Sequence, residues 1–308
     1  NRKLNRPLQQ LQEHMRAFAK GKELEKRLVQ PKDEIGILIS HFEQMKEEIN
    51  ETKNALNREQ KEKEYMVASL SHDLKTPLTV IRTYTEALEN HRLSEEERKE
   101  YQTILENKLD HMKQLIDDLS VFTALQSSDN FLDTVLVNGD EFFEMLFSGY
   151  EEPAVRKEVA LHTALHVRAS YKLDPKQMIR LMNNLMDNSL RYTPYQGNIW
   201  LGAMASNEEL PGWVFQECKE DVNTWRRNGT VILIQNEGKG IKQSQLTKVF
   251  QPFYQDDVSR GKGATSGLGL SIAKMIIEKH KGKINIWSVE NKGTLIACWL
   301  MEGNHNED

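Results

Sequence analysis

The feature that most constrains the fold of this chain is the scarcity of helix-breaking residues in its first 126 positions. Only two glycines and three prolines occur there: Gly21, Gly36, Pro7, Pro31 and Pro77. Because a helix interior tolerates glycine and proline least, this composition predicts helices over most of the stretch. The later part holds most of the glycines and all five tryptophans, which indicates a different architecture.

Apolar side chains recur every three or four residues in the helical part, as expected of helix faces that pack. The two stripes are Leu4, Leu8, Leu11, Met15 and Phe18, and then Ile35, Leu38, Phe42, Met45 and Ile49. The second stripe continues as heptads to Leu70 but is polar in its middle, which predicts a coiled coil that is weak there. The many charges of 41–64 fit a solvated helix face or a parallel dimer of marginal register, and these interpretations are compatible.

A further long helix is predicted to begin after Ser94, because Glu97 completes a capping box three residues later. A wide apolar stripe follows, formed by Ile104, Leu105, Leu109, Met112, Leu115, Ile116, Leu119 and Phe122. One helix pair alone leaves too much of this stripe exposed. We therefore expect two copies of the chain to pair into a four-helix bundle.

After residue 130 strand-like runs alternate with helical ones, which predicts an α/β-sandwich domain of about 175 residues. We expect strands at 134–137, 198–202, 230–235, 283–288 and 294–300, and helices at 139–150, 175–192 and 265–280. The connection at 205–229 is long, and such connections are either functional or disordered.

Composition excludes several classes of protein. A net charge of −5 gives no basic excess for binding nucleic acid. Cys218 and Cys298 lack the spacing of metal ligands and fit thiols of a reducing compartment. No apolar run approaches the length that spans a membrane. Because the chain starts abruptly in helical periodicity, we expect an upstream segment.

The segment SLSHDLKTPL (69–78) carries the most distinctive chemistry of the helical part. His72 and Thr76 share a helix face, and Asp73 lies beside His72. An imidazole is a competent nucleophile, and a neighbouring carboxylate can orient it and accept its proton. Pro77 removes a backbone donor and is expected to bend the helix. A lone histidine is usually a surface residue, but this cluster favours a reactive one.

The segment SHDLKTPL (71–78) resembles the phospho-acceptor motif of bacterial sensor histidine kinases. Five later segments resemble, in order, the asparagine, first glycine, phenylalanine and second glycine boxes and the closing strand of that family: NNLMDNSLRYTP (183–194), NEGKGI (236–241), FQPFY (250–254), GLGLSIAK (267–274) and KGTLIACWL (292–300). Pro7 and DEIG (33–36) are similar to a HAMP signal-relay module. The ordered set covers nearly the whole chain and is very specific.

The resemblance implies an architecture of three parts. We expect a HAMP-like parallel coiled coil at 1–53, a hairpin of a dimeric four-helix bundle at 54–127, and an α/β-sandwich ATP-binding domain at 128–303. It also implies a homodimer, a response-regulator receiver domain as partner, and a cytoplasmic location below upstream transmembrane segments.

The same resemblance implies an ATP-dependent protein-histidine kinase. His72 would accept the γ-phosphoryl group and pass it to an aspartate of the response regulator. Asp73 would act as general base, and Thr76 would position a water that removes phosphate from that partner. ATP and Mg²⁺ would be held by Asn184, Asn188, Arg191, Tyr192, Asn236, Gly238, Gly240, Ile241, Gly267, Leu268, Gly269 and Thr294, with Asn188 on the metal.

These assignments also have physical reasons. Asn184 and Asn188 lie one helical turn apart, and uncharged oxygens suit a Mg²⁺ that keeps waters and phosphates as its other ligands. Glycines allow close approach of backbone to a ligand, and a helix N-terminus after GLGL favours phosphate. The polar segment before it is typical of a lid that offers Arg260 and Lys262 to the phosphates, or of a disordered loop.

Asn236 departs from the family pattern, in which an aspartate accepts a hydrogen bond from the adenine amino group. An amide oxygen can also accept this bond, but an amide has two orientations and lacks the charge, at a cost of about 1 kcal/mol or more. The alternative function is therefore a degenerate kinase that acts as a dimeric scaffold or only as a phosphatase. A related ATPase or serine-directed kinase ranks last, because such proteins lack the SHDLKTP element.

Overall fold

The computed structural model describes residues 2–22, 28, 33–89, 93–127, 132–255 and 266–302. Contacts divide the chain into two compact units, residues 1–69 and 70–308, and each is described by itself. Across the described ranges, no helix combines the length and the apolar character needed to cross a membrane.

The first unit is built on two helices, α1 (Arg2–Ala19) and the first part of α2 (Glu34–Leu88). Asp33 accepts hydrogen bonds from the backbone N–H groups of Ile35 and Gly36, both at 3.1 Å, and so satisfies free donors at the start of α2. Leu11, Ile39 and Phe42 form the buried contact between the helices.

The predicted apolar stripes of this unit supply more than one surface. Leu11, Phe18 and Phe42 pack between the helices, together with Ile39, which lies outside the predicted stripes. Other members remain 40–50% exposed: Leu8, Met15, Leu38, Met45 and Ile49. The side chain of Leu4 lies outside the described residues. The exposed members form an apolar surface that one copy of the chain leaves uncovered.

The second unit begins with a helical hairpin, formed by the last part of α2 and by α3 (Glu95–Gln126). The predicted capping box is confirmed: Ser94 Oγ accepts from Glu97 N at 3.1 Å, and Glu97 Oε2 accepts from Ser94 N at 2.8 Å. The rings of Tyr84 and Tyr101 meet edge to face, 4.9 Å apart, and fix the register of the hairpin. Helix α2 continues through Pro77 without ending.

Two sheets follow. A small antiparallel pair joins β1 (Val135–Asn138) to β3 (Ser170–Leu173). The main sheet has the order β2-β4-β5-β7-β6, in which β2 runs parallel to β4 and the other neighbours are antiparallel. Its strands are β2 (Ala160–His166), β4 (Asn198–Met204), β5 (Thr230–Glu237), β6 (Lys283–Val289) and β7 (Gly293–Leu300). The five predicted strands are present, and β2 and β3 were not predicted.

Helices α4 (Gly139–Ser148), α5 (Glu151–Arg156), α6 (Pro175–Tyr192), α7 (Lys219–Trp225), α8 (Gln243–Leu246) and α9 (Gly269–Lys279) complete the described fold. Asp174 caps α6 by accepting from the N–H groups of Lys176 and Gln177, and Pro175 supplies a favourable first position. Helices α6 and α9 pack on each other and on the main sheet. Helix α9 begins four residues later than the predicted 265, and α5, α7 and α8 were not predicted.

The long connection at 205–229 is folded and covers the other face of the main sheet. Because residues of a strand alternate between faces, Val231 and Leu233 of β5 point to this side while Ile232 and Ile234 point away from it. Val231 and Leu233 form a core cluster with residues of the connection, Leu210, Val214, Cys218 and Val222. The connection therefore adds a third layer to the α/β domain. Of the two alternatives for this connection, function or disorder, disorder is wrong.

Candidate active site

His72 lies on an exposed face of α2 with Asp73 beside it. The imidazole is 79% exposed and the Asp73 side chain only 13%, and His72 Nδ1 lies 3.2 Å from Asp73 Oδ1. A carboxylate oxygen accepts, so Nδ1 carries the proton and donates. In this tautomer Nε2 carries a lone pair on a largely exposed ring.

Thr76 and Pro77 complete the predicted cluster one turn further along. Thr76 is exposed, and its hydroxyl donates to the backbone carbonyl of His72 at 3.3 Å. Pro77 has no N–H and cannot complete the helical hydrogen bond to the carbonyl of Asp73. The structure thus places the three predicted catalytic residues on neighbouring positions of one helix.

Asn184 and Asn188 lie one turn apart on α6, as predicted. Nδ2 of Asn184 is buried and has no hydrogen-bond partner among the described residues. A Cβ on Gly269, the first residue of α9, would lie 3.7 Å from Asn184 Oδ1. The asparagine motif and the second glycine motif are therefore neighbours. An unsatisfied amide at this place fits a site that takes a polar ligand.

Tyr150, which lies between α4 and α5, supports this helix, and no motif of the sequence pointed to it. Its hydroxyl donates to Asn183 Oδ1 at 2.7 Å, beside Asn184. Burial, and secondarily the charge of Asp187, raises the pKa of Tyr150, which therefore stays a neutral donor.

The first glycine motif lies against the end of α6 and the β6–β7 turn. A Cβ on Gly238 would lie 2.9 Å from the carbonyl oxygen of Tyr192, and one on Gly240 would lie 2.6 Å from that of Val289. Gly240 also has a φ of +72°, which favours glycine. Ile241 N donates to Ser288 Oγ at 2.7 Å. Close packing of backbone explains both glycines.

Asn236 is 7% exposed, and its amide orientation is fixed. Its Nδ2 donates to the carbonyl of Glu237 at 2.8 Å, so Oδ1 is the atom left to accept a hydrogen bond. Thr294 lies opposite Asn236 in the β5–β7 pairing. The structure therefore resolves the ambiguity of the sequence in favour of an acceptor at position 236.

The second glycine motif is held by the phenylalanine motif and by Ser266. Gly267 has a φ of +63°, and a Cβ on it would lie 2.8 Å from Phe253 Cα. Leu268 is fully buried and donates its N–H to Ser266 Oγ at 3.2 Å. Arg260 and Lys262, the predicted lid cations, lie outside the described residues.

Two side-chain contacts join α3 to the α/β lobe, and the sequence did not predict them. Ser266 Oγ lies 2.7 Å from Asp118 Oδ2, and Lys279 Nζ donates to Ser127 O at 3.1 Å. These contacts place the second glycine motif and the end of α9 against the hairpin.

The remaining predicted nucleotide contacts lie at the end of α6, and the two thiols lie in the protein interior. Arg191 and Tyr192 lie in the last turn of α6, with Tyr192 51% exposed. In the described part of the chain, no three His, Cys, Asp or Glu side chains are grouped as a metal cluster. Cys218 and Cys298 are buried thiols.

A histidine with a paired carboxylate lies on a helical hairpin, and this hairpin contacts an α/β lobe that carries the glycine and asparagine motifs, which is the arrangement expected of a sensor histidine kinase. Family comparisons agree: residues 1–51 match the HAMP domain, 62–128 the His Kinase A (phospho-acceptor) domain, and 173–304 the Histidine kinase-, DNA gyrase B-, and HSP90-like ATPase. With these three domains in this order, the chain belongs to the bacterial sensor histidine kinases.

Two curated relatives are from Bacillus subtilis. The sensor histidine kinase YclK is 28% identical over 264 residues, which are 85% of this chain and 51% of YclK. The sensor histidine kinase WalK is 28% identical over 251 residues, 80% of this chain and 38% of WalK. The chain thus spans about half or less of these relatives. Among solved structures, histidine kinase ThkA in complex with the response regulator protein TrrA shares the fold, with a TM-score of 0.59, 18% identity and coverage of 79% of this chain and 63% of that one.

Proposed function

We propose that this chain autophosphorylates His72 with ATP and passes the phosphoryl group to an aspartate of a response regulator. The observation that carries the proposal is the His72–Asp73 pair. The ring of His72 is exposed, its Nδ1 is held by the Asp73 carboxylate, and its Nε2 is available. Family membership supports this interpretation, because the matched domains are a phospho-acceptor domain and an ATPase domain.

In the proposed reaction Nε2 of His72 attacks the γ-phosphorus of ATP. The N–P bond forms, the bond from that phosphorus to the bridging oxygen breaks, and ADP leaves. The proton on Nδ1 moves to Asp73, which acts as general base. The exposure of His72 allows the nucleotide and then the receiver domain to reach the ring.

The described residues fit an adenine nucleotide. Oδ1 of Asn236 would accept from the adenine amino group, with Thr294 beside it on β7. Gly238, Gly240 and Ile241 would form the adjoining wall, since their backbone already packs closely. The start of α9 would meet the phosphates with the backbone N–H groups of Gly267 and Gly269, while the N–H of Leu268 is donated to Ser266 Oγ and holds the turn. Arg191, Tyr192, Arg260 and Lys262 would supply further contacts.

The amide pair of α6 fits a hard cation. Asn188 would hold Mg²⁺, and Asn184, whose buried Nδ2 lacks a partner among the described residues, would contact the nucleotide beside it. When bound, Mg²⁺ supplies charge neutralisation of the phosphates.

The partners follow from exposed surfaces. Leu109 and Ile116 of α3 are 54% and 52% exposed, and a second copy of the chain would cover them in a homodimeric bundle.

ThkA was solved in complex with the response regulator protein TrrA, and we propose a receiver domain as the partner of this chain. Thr76 would position the water that removes phosphate from that regulator. The HAMP match supports membrane attachment through segments outside this sequence.

The decisive experiment is phosphorylation with γ-labelled ATP, comparing wild type with His72→Gln. His41→Gln, at another exposed histidine of α2, is the matched control. We expect label in wild type and in the control, released by acid and retained in base, and none in His72→Gln. Label that persists in His72→Gln refutes the acceptor assignment.

Nucleotide titration separates the kinase from the degenerate scaffold. We expect wild type to bind ATP, because Asn236 Oδ1 is oriented as an acceptor. We also expect preference for ATP over GTP, since a guanine oxygen would face that acceptor. Binding by Asn236→Asp but not by wild type would favour the scaffold or a phosphatase-only protein.

A further inference from the structure

Two buried polar atoms in the hairpin lack a partner among the described residues, and they belong to side chains of opposite helices. One is Oδ2 of Asp73, the second oxygen of the carboxylate that holds His72. The other is Nε2 of His111 on α3. A buried polar atom without a hydrogen bond is costly, so each needs a reason.

The hairpin register brings these two residues to one level. Tyr84 and Tyr101 are in ring contact, and Asp73 lies eleven residues before Tyr84 while His111 lies ten after Tyr101. At about 1.5 Å of rise per residue, the two positions differ in height by only about 1.5 Å. Asp73 is also among the charges that act on His111.

The surroundings of His111 favour a neutral ring. Burial is the largest effect and lowers the pKa of His111, as do Lys108 on α3 and Arg191 on α6. Asp73 on α2 and Asp118 on α3 act in the opposite direction on this pKa. A neutral imidazole carries one proton, and the tautomer with the proton on Nε2 matches a carboxylate acceptor.

We propose that His111 is a positioning residue for phosphorylation of His72: its Nε2–H donates to Asp73 Oδ2 in the state that transfers phosphate. Asp73 would then be held by two donors, His72 Nδ1 on one oxygen and His111 Nε2 on the other. This one bond would satisfy both of the buried atoms that lack a partner among the described residues. The inference rests on the proposed function and deepens it.

This arrangement has a chemical consequence. The second donor keeps Asp73 charged and oriented while Nε2 of His72 attacks phosphorus. The proton from Nδ1 still passes to Asp73 Oδ1, and His111 keeps its own proton. His111 touches neither ATP nor the reacting atoms.

The test uses the full chain with γ-labelled ATP in single-turnover reactions, comparing His111→Leu and His111→Gln with wild type. Leucine removes the donor, and glutamine keeps a donating nitrogen near the place of Nε2 without titrating. We expect the rate to fall about 10- to 100-fold in His111→Leu and by no more than about threefold in His111→Gln. ATP affinity should change by less than about twofold in both.

The pH profile distinguishes positioning from a structural role. A carboxylate that has lost a donor takes up a proton more readily, so the acid limb of the rate should move to higher pH in His111→Leu only. Wild-type rate in His111→Leu, or equal loss in both variants, overturns the proposal. If wild type itself takes up no label, the proposed function fails first and this inference with it.

A readout without activity covers the case in which His111→Leu does not fold. Imidazole ¹⁵N spectra of wild type identify the ring nitrogen that carries the proton. A proton on Nε2 of His111, with a signal that shifts in Asp73→Asn, supports the pairing. A proton on Nδ1 alone overturns it.

Discussion

Asp118 of α3 accepts a hydrogen bond from the hydroxyl of Ser266, and the two oxygens lie 2.7 Å apart. The same Ser266 oxygen accepts from the N–H of Leu268, so one side chain links the hairpin to the second glycine motif. Lys279 at the other end of α9 reaches the carbonyl of Ser127. The acceptor hairpin thus holds the segment proposed to contact the nucleotide phosphates.

Removing this acceptor should loosen the contact between α3 and α9. In Asp118→Ala we expect faster amide exchange over 266–277 and a loss of about 1 kcal/mol in the free energy of unfolding, because the buried Ser266 loses its acceptor. Asp118→Asn keeps an oxygen at the site and should stay close to wild type. Hydrogen-exchange mass spectrometry makes the measurement; equal exchange in all three proteins would contradict it.

A charge at Ile116 should convert the dimer into a monomer. Ile116 is 52% exposed in one copy, and a glutamate there would have to be buried in the bundle. We expect Ile116→Glu to sediment as a monomer at concentrations where wild type is a dimer. Asn107→Glu adds the same charge on the opposite face of α3 and should remain dimeric. A wild-type monomer would contradict the homodimer proposal.

The third layer of the ATP-binding lobe should depend on Arg226. Its guanidinium is buried and donates to Asn223 Oδ1 and to the carbonyls of Ala205 and Glu208. We expect Arg226→Met to lower the free energy of unfolding by about 2–4 kcal/mol, because these acceptors lose their donor. Urea denaturation measures the change, and Arg227→Met, at the exposed neighbour, is the control.

ATP affinity of folded Arg226→Met should stay close to that of wild type. The 205–229 layer covers the face of the sheet opposite to Ile232 and Ile234, and the nucleotide motifs are not part of it. A large loss of ATP binding without unfolding would show that this layer belongs to the nucleotide site.

We expect protonation of His280 to make the second unit less stable in weak acid. Its Nε2 accepts from Asp174 N at 3.1 Å and its Nδ1 donates to Ile276 O at 2.8 Å, so the folded protein needs the neutral ring. Burial lowers the pKa of His280 below the ordinary 6.5, although the carbonyl of Ile276 and the charge of Asp174 act in the opposite direction.

The direction of this pH dependence follows from the number of protons that the folded and unfolded states bind. Between the lowered folded pKa and 6.5 the unfolded chain binds more protons, so this stability is complete above pH 6.5 and falls as the pH drops below it. His280→Gln should be less stable at pH 7.5 but should lose less stability on going to pH 5. Thermal unfolding at both pH values tests this, with His166→Gln at an exposed histidine of β2 as control.

Several features were predictable because local residues decide them. The Ser94–Glu97 capping box spans three residues, and the proline and capping aspartate of α6 fix its start at the predicted position. Gly240 and Gly267 have a positive φ, which explains why these motif positions carry glycine. The edge strand β2 escaped prediction because its burial follows no strict alternation, and β3 escaped it because the strand has only four residues.

The sequence by itself determined the order of the helical and α/β parts, the family motifs and the candidate acceptor His72, since each depends on neighbouring residues. Only the tertiary structure decided the rest: the level of His111 beside Asp73, the bond from Ser266 to Asp118, and the amide orientation of Asn236. The first two pairs are separated by 38 and 148 residues, and such pairs are set by hairpin register and packing. The Asn236 amide was settled by one carbonyl in a folded strand.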